Sequence, residues 1–362
     1  MQEVFYFGAG PAALPRPVLE KIRHELLDYR GTGLSVLELP HRSDAFFEIR
    51  DQAVQGLREL LQIPQEYAVL FMHGGATGQF SMVPLNFLGP GRFADYLCTG
   101  FWSSRACSEA ARFAEVRKVQ ALCEGESLSI APAHEWDLDP QAAYLHFCDN
   151  ETIQGIAFPG VPEVPQGALV CDMTSSLLMH PVEIPKFSLI YASTQKNLGI
   201  AGLCVAIIRK DLLEQVNEPV PRLYDYRRYV REDSVVNTLP VFAIYVLREV
   251  LDWVREQGGL SALHQRSLAR SAQLYRVLDE SRLYENRVAP GFRSSINIPF
   301  AIRDAGVLED FLRQAEQCQL LGLQGHRSAG GVRVSLYNAM PDAGVDRLTE
   351  FMSEFEARQG RT

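Results

Sequence analysis

Two residues of this chain combine side chain and neighbourhood in a way that suits covalent chemistry. Lys196 lies in Ser193-Thr-Gln-Lys-Asn197, directly after the apolar run 187–192, and Asp172 closes an earlier apolar run at 168–171. A lysine amine can bind an aldehyde as a Schiff base, and an aspartate can keep a ring nitrogen protonated. Both residues end strand-like runs, which is where ligands bind in open α/β sheets. The pair meets two needs of pyridoxal phosphate (PLP). In isolation, a surface lysine and a strand-end aspartate would read the same way, so the cofactor's other needs decide.

The first of those needs is a phosphate cradle. His73-Gly-Gly-Ala-Thr-Gly-Gln79 follows the apolar run 68–72 and precedes a helical stretch holding Phe80, Met82 and Leu85. Glycines there let backbone N–H groups close on an anion at a helix N-terminus. The loop lacks the Gly-Lys-Ser/Thr ending of a P-loop and is not G-x-G-x-x-G, which weakens a nucleotide-binding reading. The second need is a flat surface. Trp102 follows the run 94–99 and can stack on a ring, while Thr152 follows the run 143–148 and can hydrogen-bond the ring's 3′ oxygen. Residues 74–79, 102, 152, 172 and 196 thus each follow a separate run, and in a parallel sheet those ends share one edge. Basic residues supply a further element. His41-Arg42 lies between the first two helical stretches, and Gly325-His326-Arg327-Ser-Ala-Gly-Gly-Val-Arg333 is rich in glycine. Arginine binds carboxylate and phosphate through paired hydrogen bonds, which suits a doubly anionic substrate.

Positioning these residues requires alternating strands and helices. Helical periodicity begins at Pro17 (Val18, Leu19, Ile22, Leu26, Tyr29) and stops at Gly31, and a second amphipathic stretch carries Phe46, Ile49, Ala53, Leu57 and Leu61. Apolar runs at 68–72, 94–98, 143–148, 168–171, 189–192 and 203–208 read as strands covered on both faces. The expected fold is α/β, a mostly parallel sheet with helices on both sides. A long helix is expected over 240–257, then a break at Gly258-Gly259. Beyond it, a helix at 260–278, short strands at 296–299 and 332–336, and helices at 307–319 and 345–358 suggest a smaller C-terminal α/β domain. The expected division is an N-terminal segment 1–16, a large domain 17–259 and a small domain 260–362.

A chain of 362 residues exceeds the size at which one core keeps growing. Its net charge of −9 argues against nucleic acid or an anionic membrane as partner, since either needs a basic face. The seven cysteines form no C-x-x-C pair, which suits a reducing cytoplasm better than a disulfide framework or a zinc site. Met1-Gln-Glu-Val-Phe-Tyr-Phe lacks the features of a signal peptide, and no run reaches 18 apolar residues. A cytoplasmic enzyme without a metal centre is the expectation.

The motifs resemble, nearly end to end, the phosphoserine aminotransferase family of fold-type I PLP enzymes. The resemblance is carried by Phe7-Gly-Ala-Gly-Pro11-Ala, His41-Arg-Ser43, His73-Gly-Gly, Val83-Pro-Leu-Asn86, Asn150-Glu-Thr152, Gln195-Lys-Asn197, Val236-Asn-Thr238 and Gly325-His-Arg327 through Leu336-Tyr-Asn-Ala-Met340. It implies that Lys196 carries PLP, Asp172 pairs with the pyridine nitrogen, and Trp102 stacks on the ring. Thr152, Gln195 and the backbone of Ala76 and Thr77 would complete the cofactor contacts. Asn237 and Thr238 would reach the phosphate from the neighbouring subunit of a homodimer with shared sites. Arg42 and Arg333, aided by His41, His326 and Arg327, would bind the substrate's carboxylate and phosphate.

The implied reaction interconverts 3-phosphohydroxypyruvate and glutamate with O-phosphoserine and 2-oxoglutarate in serine biosynthesis. The resemblance extends this to 4-phosphohydroxythreonine in pyridoxine biosynthesis. Thr77 is neutral where some relatives carry an arginine, Ala9 stands where serine is frequent, and Ala76 replaces a glycine and so should have negative φ. The competing readings are an alanine–glyoxylate-type aminotransferase, a cysteine desulfurase, which would need a reactive cysteine on a mobile loop, or a non-catalytic PLP-binding protein.

Overall fold

A computed structural model describes residues 3–163 and 167–359. Its centre is a seven-stranded sheet built from β1 (Tyr67–His73), β2 (Phe93–Cys98), β3 (Glu115–Gln120), β4 (Tyr144–Cys148), β5 (Ala168–Asp172), β6 (Leu189–Ser193) and β7 (Leu203–Arg209), in the order β1-β7-β6-β5-β4-β2-β3. Pairing is parallel from β6 through β5, β4 and β2 to β3, while β7 runs antiparallel to both β6 and β1. The carboxyl ends of β1, β2, β4, β5 and β6 therefore share one edge, as the motif positions require.

The all-apolar runs are explained by burial on both faces. Within β1, Tyr67, Val69 and Phe71 enter one apolar cluster while Ala68, Leu70 and Met72 enter the other. The first cluster is closed by α1 (Arg16–Glu25), α2 (Asp44–Leu61) and α6 (Val241–Glu256). On the second face lie α3 (Ala76–Phe87), α4 (Phe101–Ala110) and the short α5 (Tyr226–Arg231). Two details differ from expectation. β3 reads Glu-Val-Arg-Lys-Val-Gln and was not anticipated: it lies at the sheet's edge, where only Val119 is fully buried, so its pattern is mostly polar. The first helix ends at Glu25 instead of near Gly31, although Tyr29 still packs edge-on against Tyr245.

The remaining chain forms a smaller layer. The strands β8 (Tyr284–Glu285), β9 (Asn297–Ile302) and β10 (Val332–Ser335) make an antiparallel sheet. It packs with α8 (Leu308–Gln317), α9 (Asp342–Gln359) and the end of α7 (Gly259–Glu280) around Phe311 and Phe351. The change from large to small core falls inside α7, since Leu260 and Leu263 belong to the first cluster and Leu274 and Leu278 to the third. Phe5 and Phe7 also join the third cluster, through parallel pairing of Phe5–Tyr6 with Leu320–Leu321. No helix among the described residues is long and apolar enough to cross a membrane.

The two layers meet across a buried seam of neutral polar groups. Asn297 Oδ1 accepts from Asn150 Nδ2 at 2.9 Å, and Asn297 Nδ2 donates to Ser335 Oγ at 3.0 Å and Tyr337 Oη at 3.3 Å. Tyr337 Oη in turn donates to Ala9 O at 2.8 Å. Removing one member of such a seam leaves buried partners unpaired, at about 1–3 kcal/mol each. Asn297→Ala is expected to lower the unfolding free energy by at least about 2 kcal/mol, read from the denaturant midpoint. An unchanged midpoint would show that the seam does not hold the layers together.

Candidate active site

A cleft of about 560 Å³ opens at the shared carboxyl edge of the sheet. Lys196 and Gln195, just beyond β6, and Asp172, ending β5, form its floor. Ala76 and Thr77 at the start of α3, Trp102 in the first turn of α4, and Thr152 beyond β4 line its walls, with His326 and Arg333 contributed by the small layer. Nine of the residues singled out from sequence thus converge on one space.

The local chemistry of each is set by its surroundings. Asp172 is buried, and Oδ1 accepts from Thr174 N at 2.8 Å. Burial raises its carboxyl, while the Thr174 hydrogen bond and the charge of Lys196 favour the anion. Lys196 is half-buried, enclosed by protein on every side but the cleft. Loss of water pushes its amine down to about 8, against the opposing pull of Asp172. Gly10 passes over the lysine with φ of 138°, a conformation that glycine adopts readily and other residues rarely do; space is not the reason, since a Cβ there would make ordinary contact with the Lys196 chain at 3.5 Å.

The wall above α3 is an anion cradle. The first intrahelical bonds run from Gly78 and Gln79 to Gly75 O, so the amides of Ala76 and Thr77 precede them at the positive end of the helix. A Cβ on Gly75 would lie 2.6 Å from Ser193 Oγ, so a larger residue there would have to turn that hydroxyl aside where the loop approaches β6. Ala76 opens the helix and is absent from the positive-φ residues, as its side chain requires.

Opposite the cradle, Trp102 Nε1 donates to Thr152 Oγ1 at 2.9 Å. A hydroxyl that accepts there keeps its own proton to donate elsewhere, which suits a phenolate oxygen. A helix-end cradle, a flat indole, a proton-donating hydroxyl, a carboxylate and a shielded amine together fit PLP. Arg333 Nη1 donates to Thr152 O at 3.3 Å, and among the described residues no ion pair occupies its guanidinium, which can therefore meet an acid. His326 Nδ1 accepts from Ser328 N at 3.3 Å, which places the ring proton on Nε2. Burial and the nearby Arg333 and Arg327 charges hold its pKa below the usual histidine value.

Other expected site residues lie elsewhere in the single chain. Half-buried His41 and exposed Arg42 sit between α1 and α2, and exposed Arg327 does not line the cleft. Asn237 and Thr238 lie outside it too, tied to the cradle strand by His73 Nε2 donating to Thr238 O at 2.6 Å. The sequence marks Cys148 only as a small hydrophobe in a strand-like run, and it gives Glu151 no role although Glu151 adjoins Thr152 in the motif Asn150-Glu-Thr152. Cys148 lines the cleft 4.0 Å from Asp172 Oδ2, and burial pushes its thiol well up, so it cannot act as the thiolate of a desulfurase.

Residues 4–348 match the family Aminotransferase class-V. A phosphoserine aminotransferase of Acinetobacter baumannii (strain ACICU) is 45% identical over 357 residues, 98% of this chain and 99% of its own. The solved phosphoserine aminotransferase of Bacillus circulans subsp. alkalophilus superposes with a TM-score of 0.94 at 37% identity, covering 99% of each chain. The PLP-bound phosphoserine aminotransferase of Trichomonas vaginalis gives 0.93 at 39%, covering 97% of this chain and 100% of that one. A cleft built this way, on this fold, is that of a PLP-dependent aminotransferase with small-molecule substrates. Within class V, the chain belongs to the phosphoserine aminotransferase family.

Only the neutral form of an amine attacks an aldehyde, so the lowered pKa of Lys196 predicts how the apoprotein takes up PLP. The uptake rate should climb roughly tenfold per pH unit below the pKa of about 8 and level off above it. Growth of the bound cofactor's absorption band measures this. A rate still climbing toward 10.5, the ordinary lysine value, would mean that the amine is not shielded.

Proposed function

We propose that the protein transfers the amino group of glutamate to 3-phosphohydroxypyruvate, giving 2-oxoglutarate and O-phosphoserine, in the cytoplasm and as a homodimer with shared sites. The observation that carries this reading is the shielded Lys196 amine in a cleft that also presents Asp172, Trp102 and Arg333. PLP, when bound, supplies an electron-accepting ring for the charge left as the substrate Cα loses its proton.

The chain's own residues do the rest. Lys196 holds the cofactor at rest, and once displaced its neutral Nζ takes the Cα proton and later returns a proton on the same face. An amine near 8 exchanges protons readily at neutral pH, which an ordinary surface lysine would not. Asp172 keeps the ring nitrogen protonated, and Trp102 covers one ring face against water. Ala76 and Thr77 present backbone amides to the cofactor phosphate, while Thr152 and Gln195 hold the ring's polar edge.

Arg333 grips the substrate carboxylate with a geometry that lysine could not match. His326 offers a neutral N–H donor beside it. The substrate's phosphate needs more positive charge than one chain brings to the cleft. His41, Arg42 and Arg327 are the remaining basic candidates, with His41 and Arg42 reaching across from a second subunit. Asn237 and Thr238 likewise serve the cofactor phosphate of the other subunit.

Purified protein given glutamate and 3-phosphohydroxypyruvate should form 2-oxoglutarate with ping-pong kinetics, and Lys196→Ala should reduce turnover by at least about a thousandfold. Full activity in that variant would sink the assignment of Lys196. Sharing of sites has its own test. Lys196→Ala and Arg42→Ala chains, each weakly active alone, should regain activity when co-assembled, because one site of the mixed dimer then carries neither change. Absence of any regain would place Arg42 in its own subunit's site or outside the mechanism.

A further inference from the structure

Glu151 has 0% of its surface exposed, and the mechanism above gives it no task. It does not line the cleft. Its carboxylate is spent on one helix end. Oε2 accepts from Trp102 N at 2.9 Å, and Oε1 accepts from Ser103 N at 2.8 Å and Ser103 Oγ at 2.6 Å. Beside it, Gln154 Oε1 accepts from Phe101 N at 3.2 Å. The first three amides of α4 are thus held from the segment 151–154, and Thr152 holds the far end of the same indole through Nε1 at 2.9 Å. A buried carboxylate costs several kcal/mol unless it is paired, yet no cation pairs with Glu151 among the described residues. Burial does push its carboxyl upward, but three donors and the positive end of α4 favour the anion.

We propose that Glu151 is a positioning residue for the cofactor's stacking surface: its buried anion fixes the backbone of Trp102 while Thr152 fixes the indole, so the ring stands at one height and tilt over PLP. The inference rests on reading Trp102 as the stacking residue.

A carboxylate suits this task and an amide does not. In Glu151→Gln, one end of the side chain becomes an NH₂ group. If the remaining oxygen faces Ser103, the NH₂ meets Trp102 N–H; if flipped, it meets Ser103 N–H. Either way, one backbone donor of the first turn faces another donor and moves off. The geometry offers a second perturbation that leaves the charge alone. A Cβ at Gly100 would lie 2.6 Å from Glu151 Cδ, and the Gly100 backbone is extended, so Gly100→Ala displaces the carboxylate without straining φ.

The experiment measures PLP affinity and the circular-dichroism band of bound PLP in Glu151→Gln and Gly100→Ala, each with and without Trp102→Ala. Both variants should bind PLP roughly ten- to a hundredfold more weakly, the loss of one charge-assisted hydrogen bond. They should also show a diminished band, and KM for glutamate and for the keto acid should stay within about twofold of wild type, since Arg333 and His326 are untouched. In the Trp102→Ala background, neither change should weaken binding further, because its effect passes through that ring. Unchanged affinity and band in both variants would overturn the proposal. Equal losses with and without Trp102 would overturn it too, by showing a general structural role. If Trp102→Ala alone leaves PLP affinity unaltered, the stacking reading itself falls, and this inference with it.

Discussion

Taking one amine out of water while keeping it in reach of a ligand is the constraint to which the other parts of this molecule answer. An ammonium in bulk water holds its proton to about pH 10.5; at the floor of this cleft it holds it only to about 8. The shift exists because protein replaces water on every side but one, and because the nearest carboxylate, itself desolvated, only partly compensates. Such a site cannot be assembled on an isolated loop. It requires β5 and β6 to lie side by side and parallel, so that Asp172 and the turn carrying Lys196 emerge together, and the chain passing over the lysine turns at Gly10 with a positive φ that suits glycine.

The same edge of the sheet serves the other parts of the site because parallel strands end in one plane. β1 delivers a helix end where the amides of Ala76 and Thr77 precede the first intrahelical bonds, β2 delivers Trp102, and β4 delivers Glu151 and Thr152. The small layer then adds Arg333 and His326, and it is registered to the sheet by the seam through Asn150, Asn297, Tyr337 and Ala9. That seam is neutral throughout. A charged one would have perturbed the Lys196–Asp172 pair lying beside it, whereas amides and hydroxyls lock geometry without adding a net field.

Much of this was legible in the sequence because burial leaves a strong mark on composition. Strands covered on both faces read as unbroken apolar runs, and the residue after each run marks the ligand edge, so Lys196, Asp172, Trp102 and Thr152 could be placed together without coordinates. The edge strand Glu115–Gln120 escaped notice because an edge buries little, and the direction of β7 leaves no trace in its composition. Glu151 was overlooked for a different reason. Its significance lies in which amides it accepts from, forty-eight and forty-nine positions away, and pairing at that distance carries no local signature. His41, Arg42, Asn237 and Thr238 lie away from the cleft of a single chain, and their roles were visible only through the resemblance to a family.

Lys196, and no other amine, is proposed to carry the cofactor. Lys21 pairs with Glu249, Lys186 with Glu183, and Lys210 donates to Gln65 O, so the other lysines with assigned partners are occupied on the surface. Reducing the holoprotein with borohydride would fix PLP to whichever amine holds it, and peptide mapping by mass spectrometry would locate the label. A single labelled peptide containing Lys196 is expected. Label on Lys21, Lys118, Lys186 or Lys210, with Lys196 unmodified, would contradict it.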